Sequence, residues 1–186
     1  LLPTLAQAIE EALGAPSIQY RADEFQWIGR VSTSVEVTVA WRKPDSSGKL
    51  APRTIEEART GTLLLASSGP GSALDSYPRV TAFATGLNLK MVTGYKGSTE
   101  SLLAMERGEV DGAGTTWNTL KINRRDWLDQ GKIDVLVQYA RRRAPDLPDV
   151  PAAVELARSD DGKLLLDFYM SGADIGRAIL TTPDVP

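Results

Sequence analysis

Three short stretches hold the residues whose type and spacing could do chemistry. Ser67-Ser68-Gly69-Pro70-Gly71-Ser72 follows the apolar run Thr62-Leu63-Leu64-Leu65-Ala66 and precedes a helix-forming run. Gly94-Tyr95-Lys96-Gly97-Ser98 repeats that arrangement after residues 89–93, and Thr115-Thr116-Trp117 follows a third short apolar segment. A glycine bend between a strand and a helix leaves backbone N–H groups free at the positive end of the helix, which is a seat for a negatively charged group. In the first bend the amides of residues 69–73 are the candidates, with Ser72 as N-cap and Asp75 at the capping-box position. In the second bend Tyr95 and Lys96 would bring a phenol and an ammonium to the same cleft mouth. Trp117, flanked by the small or polar Gly114, Thr115, Thr116 and Asn118, would form a cleft wall. In open α/β sheets ligands collect at the carboxyl ends of strands, and all three stretches are carboxyl-end loops. The chemistry this predicts is capture of an anion, and nothing in it calls for a reaction.

Other chemistries fit less well. The first bend lacks the Lys-Ser/Thr of a P-loop and the G-x-G-x-x-G of a dinucleotide fingerprint. The chain has no histidine and no cysteine, which removes histidine triads, thiol nucleophiles and thiolate zinc sites. Ser67 or Ser68 with a lysine could form a hydrolase dyad. The one lysine of the cleft, Lys96, sits in a glycine turn facing water, a poor setting for a base. Arg141-Arg142-Arg143 is followed by Asp146 and Asp149 and reads as a locally compensated loop. Glu106, Glu109 and Asp111 have no metal-ligand spacing. No cofactor is expected.

These loops need a scaffold, and the pattern supplies one. Helices are expected over 5–13, 54–60, 73–87, 99–107, 120–128, 152–157 and 162–170. Strands are expected over 31–41, 62–66, 89–93, 109–113, 133–139 and 177–181. Val35, Val37, Val39 and Trp41 lie on one side of theirs. Residues 25–29 read as an apolar core turn, 43–53 as a surface loop and 141–151 as an extended crossing segment. Strands and helices alternate, which makes the fold class α/β with a mostly parallel sheet. At 186 residues, 42% hydrophobic and 24% charged, the chain can bury a sizeable core. A net charge of −3 gives nucleic acid no electrostatic footing. No apolar run reaches the length of a membrane span. The chain begins at Leu1 without methionine and is expected to be part of something longer.

Val92-Thr93-Gly94-Tyr95-Lys96-Gly97, Leu103-Ala104-Met105-Glu106-Arg107-Gly108 and Glu109-Val110-Asp111-Gly112 resemble the extracytoplasmic solute receptors of tripartite tricarboxylate transporters, often named the Bug family. The 65–72 loop, Phe25-Gln26-Trp27-Ile28-Gly29 and Pro145-Asp146-Leu147-Pro148-Asp149-Val150-Pro151 agree in order and spacing. The resemblance implies a type II periplasmic-binding-protein-like fold of two lobes, with one complete lobe in this chain plus parts of the second. Residues 1–39 would be part of lobe 1 with the outward crossover strand. Residues 40–132 would form lobe 2, and 133–186 the return crossover and more of lobe 1. The family's first strand and glycine-rich loop would precede Leu1. The implied function is capture, in the periplasm, of a small organic di- or tricarboxylate for the membrane subunits of a transporter, without catalysis. Its ligand residues would be Ser67, Gly69, Gly71, Ser72, Tyr95, Lys96, Gly97, Ser98, Thr115 and Thr116. A chain holding half a cleft would also be expected to self-associate. Against the receptor stand the serine-lysine hydrolase and an effector-binding domain of a transcription regulator. Sequence upstream of Leu1 separates these: a signal peptide favours the receptor, a helix-turn-helix the regulator.

Overall fold

The structure, a computed structural model, describes residues 11, 14, 21, 24–33, 35–44, 48, 50–174 and 176–181. Apart from Glu11, the helix expected over 5–13 lies outside them. Five strands form the main sheet: β2 (Glu36–Trp41), β3 (Leu63–Ser67), β4 (Leu89–Thr93), β5 (Gly112–Thr116) and β6 (Ile133–Tyr139). Their order is β4-β3-β5-β2-β6. β3 runs parallel to β4 and β5, while β2 is antiparallel to both β5 and β6. Four strands therefore share one direction and β2 alone opposes them. A separate antiparallel ribbon joins β1 (Gln26–Ser32) to β7 (Arg177–Thr181).

Helices cover both faces of the main sheet, as a mostly parallel sheet requires. They are α1 (Ile55–Ala58), α2 (Ala73–Thr85), α3 (Ser98–Glu106), α4 (Trp117–Asn123), α5 (Arg125–Asp129) and α6 (Asp160–Ser171). One core cluster gathers Ile55, Leu63, Leu65, Tyr77, Leu136, Val137, Tyr139, Leu166 and Met170 under α1, α2 and α6. The other gathers Val37, Val39, Trp41, Leu102, Met105, Leu120, Trp127 and Ile133 under α3, α4 and α5. There Trp41 and Trp127 meet edge to face, with ring centroids 4.8 Å apart. Val37, Val39 and Trp41 share a face of β2 as the alternation predicts, and Thr38 turns to the other, where its hydroxyl meets that of Tyr139.

Several expectations are corrected. Residues 25–29 are no core turn: from Gln26 on they are the first half of β1, and Trp27 and Ile28 are 53% and 66% exposed. The 31–41 run is two strands, broken between Ser32 and Glu36. The third strand of the site begins at Gly112 rather than Glu109, so Thr115 and Thr116 lie inside it and not beyond it. Glycine makes this strand possible: a Cβ on Gly112 would fall 2.3 Å from the Val39 carbonyl oxygen, and one on Gly114 would fall 3.1 Å from Leu74. Asp111, read as strand, is a clamp outside it, its carboxylate accepting the Leu64 amide at 2.8 Å. The helix expected over 120–128 is two, because Arg124 leaves helical geometry at φ −139°. The 152–157 segment is a 3-10 turn, Ala153–Leu156. Residues 141–151 are a run of turns rather than an extended crossing. The Gln138 side chain ties them down, donating to the carbonyls of Leu147 and Val150 and accepting the Ala144 amide. Their arginines are compensated from elsewhere, Arg141 by Asp167 and Arg143 by Glu155.

Candidate carboxylate site at the strand ends

Because β4, β3 and β5 are parallel neighbours, Thr93, Ser67 and Thr116 end on the same edge of the sheet, and each strand hands the chain to a helix there. The first two bends touch, the Tyr95 amide donating to the Ser67 carbonyl at 3.4 Å.

In the first bend Gly69 and Gly71 take φ of +110° and +85°, which only glycine adopts without strain. The Ser72 hydroxyl donates back to the Gly69 carbonyl at 2.9 Å instead of capping α2. With Ser72 as N-cap, the amides of Ala73 and Leu74 fall in the first turn, where an α-helix offers them no internal partner. Ser67 is fully buried, and its hydroxyl donates to Asp75 at 2.8 Å while accepting the Gly69 amide at 3.0 Å. Its side chain thus faces the protein, and Asp75 serves that contact rather than a capping box.

In the second bend Gly94 and Gly97 again have positive φ, and Gly97 is the N-cap of α3. Glu100, three residues on, accepts the Lys96 amide at 2.8 Å. That leaves Ser98 and Thr99 as the amides of the open first turn, while the Lys96 side chain stands in solvent. The Tyr95 hydroxyl donates to Glu109 at 3.3 Å, and partial burial together with Glu109 holds its proton more firmly than an ordinary phenol.

The third bend differs. Thr116 caps its own helix by accepting the Thr119 amide at 3.1 Å, and the Trp117 amide donates to Val35 at 2.8 Å. Here both the Trp117 amide and the Thr116 hydroxyl are already engaged within the protein. Thr115 is 1% exposed, and its hydroxyl has no hydrogen-bond partner among the described residues. Trp117 packs on the second core cluster with the Lys121 ammonium 5.9 Å from its ring centre. Lys121, whose ammonium donates to Asp146 at 2.6 Å, holds the Asp146 carboxyl below the usual carboxylate range.

The structure therefore brings Ser67, Gly69, Gly71, Ser72, Tyr95, Gly97 and Ser98 to one place, and sets Lys96 outward and Trp117 against the core. Thr99 and Leu74 were not singled out from sequence, although Glu100 three residues past Gly97 marks the start of α3 by its capping-box spacing. Glu36, at the start of β2, lies on this same edge opposite Thr116 and Tyr139. Among the described residues no group of three or more His, Cys, Asp or Glu could hold a metal, and no helix is long and apolar enough to cross a membrane.

A sheet of this order, with glycine bends handing parallel strands to helices at one edge, is the fold of a periplasmic binding protein lobe, and solved structures share it. A TctC solute binding protein from Polaromonas superposes with a TM-score of 0.64 at 12% identity over 98% of this chain. MatC from Rhodopseudomonas palustris, with bound malate, gives 0.58 at 21% over 92%, and R. palustris Rpa4515, with adipate, gives 0.57 at 17% over 88%. This chain spans 70%, 63% and 63% of those proteins. Among curated proteins nothing matches significantly. The family model of the tripartite tricarboxylate transporter family receptor, TctC, matches residues 4–164, and the chain belongs to that family. It is a family of solute receptors, not enzymes.

Proposed function

We propose that this chain captures a small organic di- or tricarboxylate outside the cytoplasm, in the periplasm, and presents it to the membrane subunits of a tripartite tricarboxylate transporter. The observation that carries this reading is the pair of joined glycine bends at neighbouring parallel strand ends, each leaving first-turn amides open at the positive end of a helix. One ligand carboxylate sits on the amides of Ala73 and Leu74 with the Gly71 backbone, and the amides of Ser98 and Thr99 receive a further oxygen. Thr115 supplies a hydroxyl that has no partner among the described residues. The malate and adipate held by two of the similar structures support an acid of this size. Residues 40–132 form the lobe that carries these bends. Residues 1–39 and 133–186 contribute the crossover strands and part of the opposite lobe, whose remaining contacts close over the acid.

Titration calorimetry with malate, succinate, adipate and citrate tests the reading. Ser72→Asp adds a fixed negative charge at the seat and is expected to weaken binding at least tenfold with an unchanged melting temperature. Thr115→Val removes a hydroxyl with no described partner, so stability holds while affinity falls. Undiminished affinity in both variants would move the site elsewhere.

A further inference from the structure

Behind the first bend lies a chain of polar groups that the capture of an acid does not itself require. Asp75, only 3% exposed, accepts the Ser67 hydroxyl on one oxygen at 2.8 Å and Arg79 Nε on the other at 2.7 Å. Ser67 in turn accepts the Gly69 amide at 3.0 Å, so two hydrogen bonds separate this carboxylate from the loop backbone. Asp75 also lies in the first turn of α2. It therefore competes with any bound anion for the same positive helix end, across a short path through protein where charges interact strongly. Arg79, one turn on and half exposed, offsets that charge, and Asp75 in return strengthens the hold of the guanidinium on its proton.

We infer that Asp75 and Arg79 are a positioning pair for the acid site. Asp75 fixes the Ser67–Gly69 turn, and Arg79 cancels the repulsion that the buried carboxylate would exert on the ligand. The pair thereby sets how the bend discriminates acids by charge. This rests on the reading of the 67–72 bend as the anion seat.

The test is calorimetry on the natively expressed receptor with malate, succinate and adipate, each set against its monoamide, which has similar size and one charge fewer. Arg79→Gln is expected to weaken the diacids about tenfold and the monoamides about threefold, because repulsion scales with ligand charge. Asp75→Asn with Arg79→Gln keeps an acceptor for Ser67 and is expected to restore the wild-type ratio of diacid to monoamide affinity. A merely structural role for the pair would lower both affinities alike. Equal losses, no loss, or a ratio the double variant fails to restore would overturn the pair while leaving the anion seat standing. A wild-type receptor that binds none of these acids would overturn the seat and the pair together.

Discussion

The hydroxyls of Thr38 and Tyr139 lie 2.6 Å apart in the buried core, joining strands β2 and β6 from positions 101 residues apart in the chain. Removing one partner strands the other. Tyr139→Phe is expected to cost about 1–2 kcal/mol, read as a lower denaturant midpoint. Adding Thr38→Val should recover much of that loss, since both polar atoms are then gone. A double variant no more stable than the single one would show that packing, not the hydrogen bond, sets the cost.

Burial raises the pKa of Tyr139 and of Tyr77, whose rings are 5.4 Å apart, and the charge of Glu36 pushes both the same way. A group with a raised folded pKa stabilises fully below its unfolded pKa, about 10 for tyrosine, and that stability is lost as pH rises further. The melting temperature should therefore hold steady to about pH 9 and fall beyond about pH 10. In Tyr77→Phe with Tyr139→Phe the alkaline decline should flatten. An equally steep decline in that double variant would assign it to other groups.

Gly112 admits no side chain. A methyl there would meet the Val39 carbonyl at 2.3 Å and Leu65 at 2.9 Å. Gly112→Ala is expected to destabilise by about 3 kcal/mol through overpacking. It should also weaken acid binding, because β5 positions Thr115 and Thr116. Chemical denaturation followed by calorimetry separates the two effects, and a variant of wild-type stability would show that the sheet can spread at this point.

The β1–β7 ribbon leaves Trp27, Ile28, Val31 and Ile179 exposed at 53%, 66%, 66% and 41%. Expressed alone, residues 1–186 should associate through this surface, as unpaired strand edges beside apolar side chains do. Light scattering should report dimers or larger species, and Ile28→Lys with Val31→Lys should shift them toward monomer. A monomeric wild-type chain would mean that the ribbon is covered from within.

Periodicity made most of the scaffold legible. The strands at 89–93, 133–139 and 177–181 stand where their apolar runs predicted them, because continuous or alternating hydrophobes have few other ways to be buried. It failed where burial and composition part. The strand expected over 109–113 is displaced to 112–116, because Gly114 and the threonines carry too little apolar side chain to mark it, yet crowding from Val39, Leu65 and Leu74 is what demands glycine at 112 and 114. Gln26-Trp27-Ile28 reads as core and is exposed. The two glycine bends before α2 and α3 were legible because glycine and capping residues mark them locally. The inward turn of Ser67 was not, since it depends on Asp75 reaching back across the loop.

The central place of β2 has a consequence for the order in which the molecule can be built. β2 leaves the ribosome before β3, yet its neighbours in the sheet are β5 and β6, the last strands of the five to be made. Through the whole interval Val37, Val39 and Trp41 have no native partner strand, and the β3–β4 unit that can form locally does not cover them. Such non-local closure is slow and exposes sticky intermediates. A nascent chain of this design cannot close its central sheet before β6 has been made, and until then the polypeptide stays loose enough to be threaded through a narrow pore.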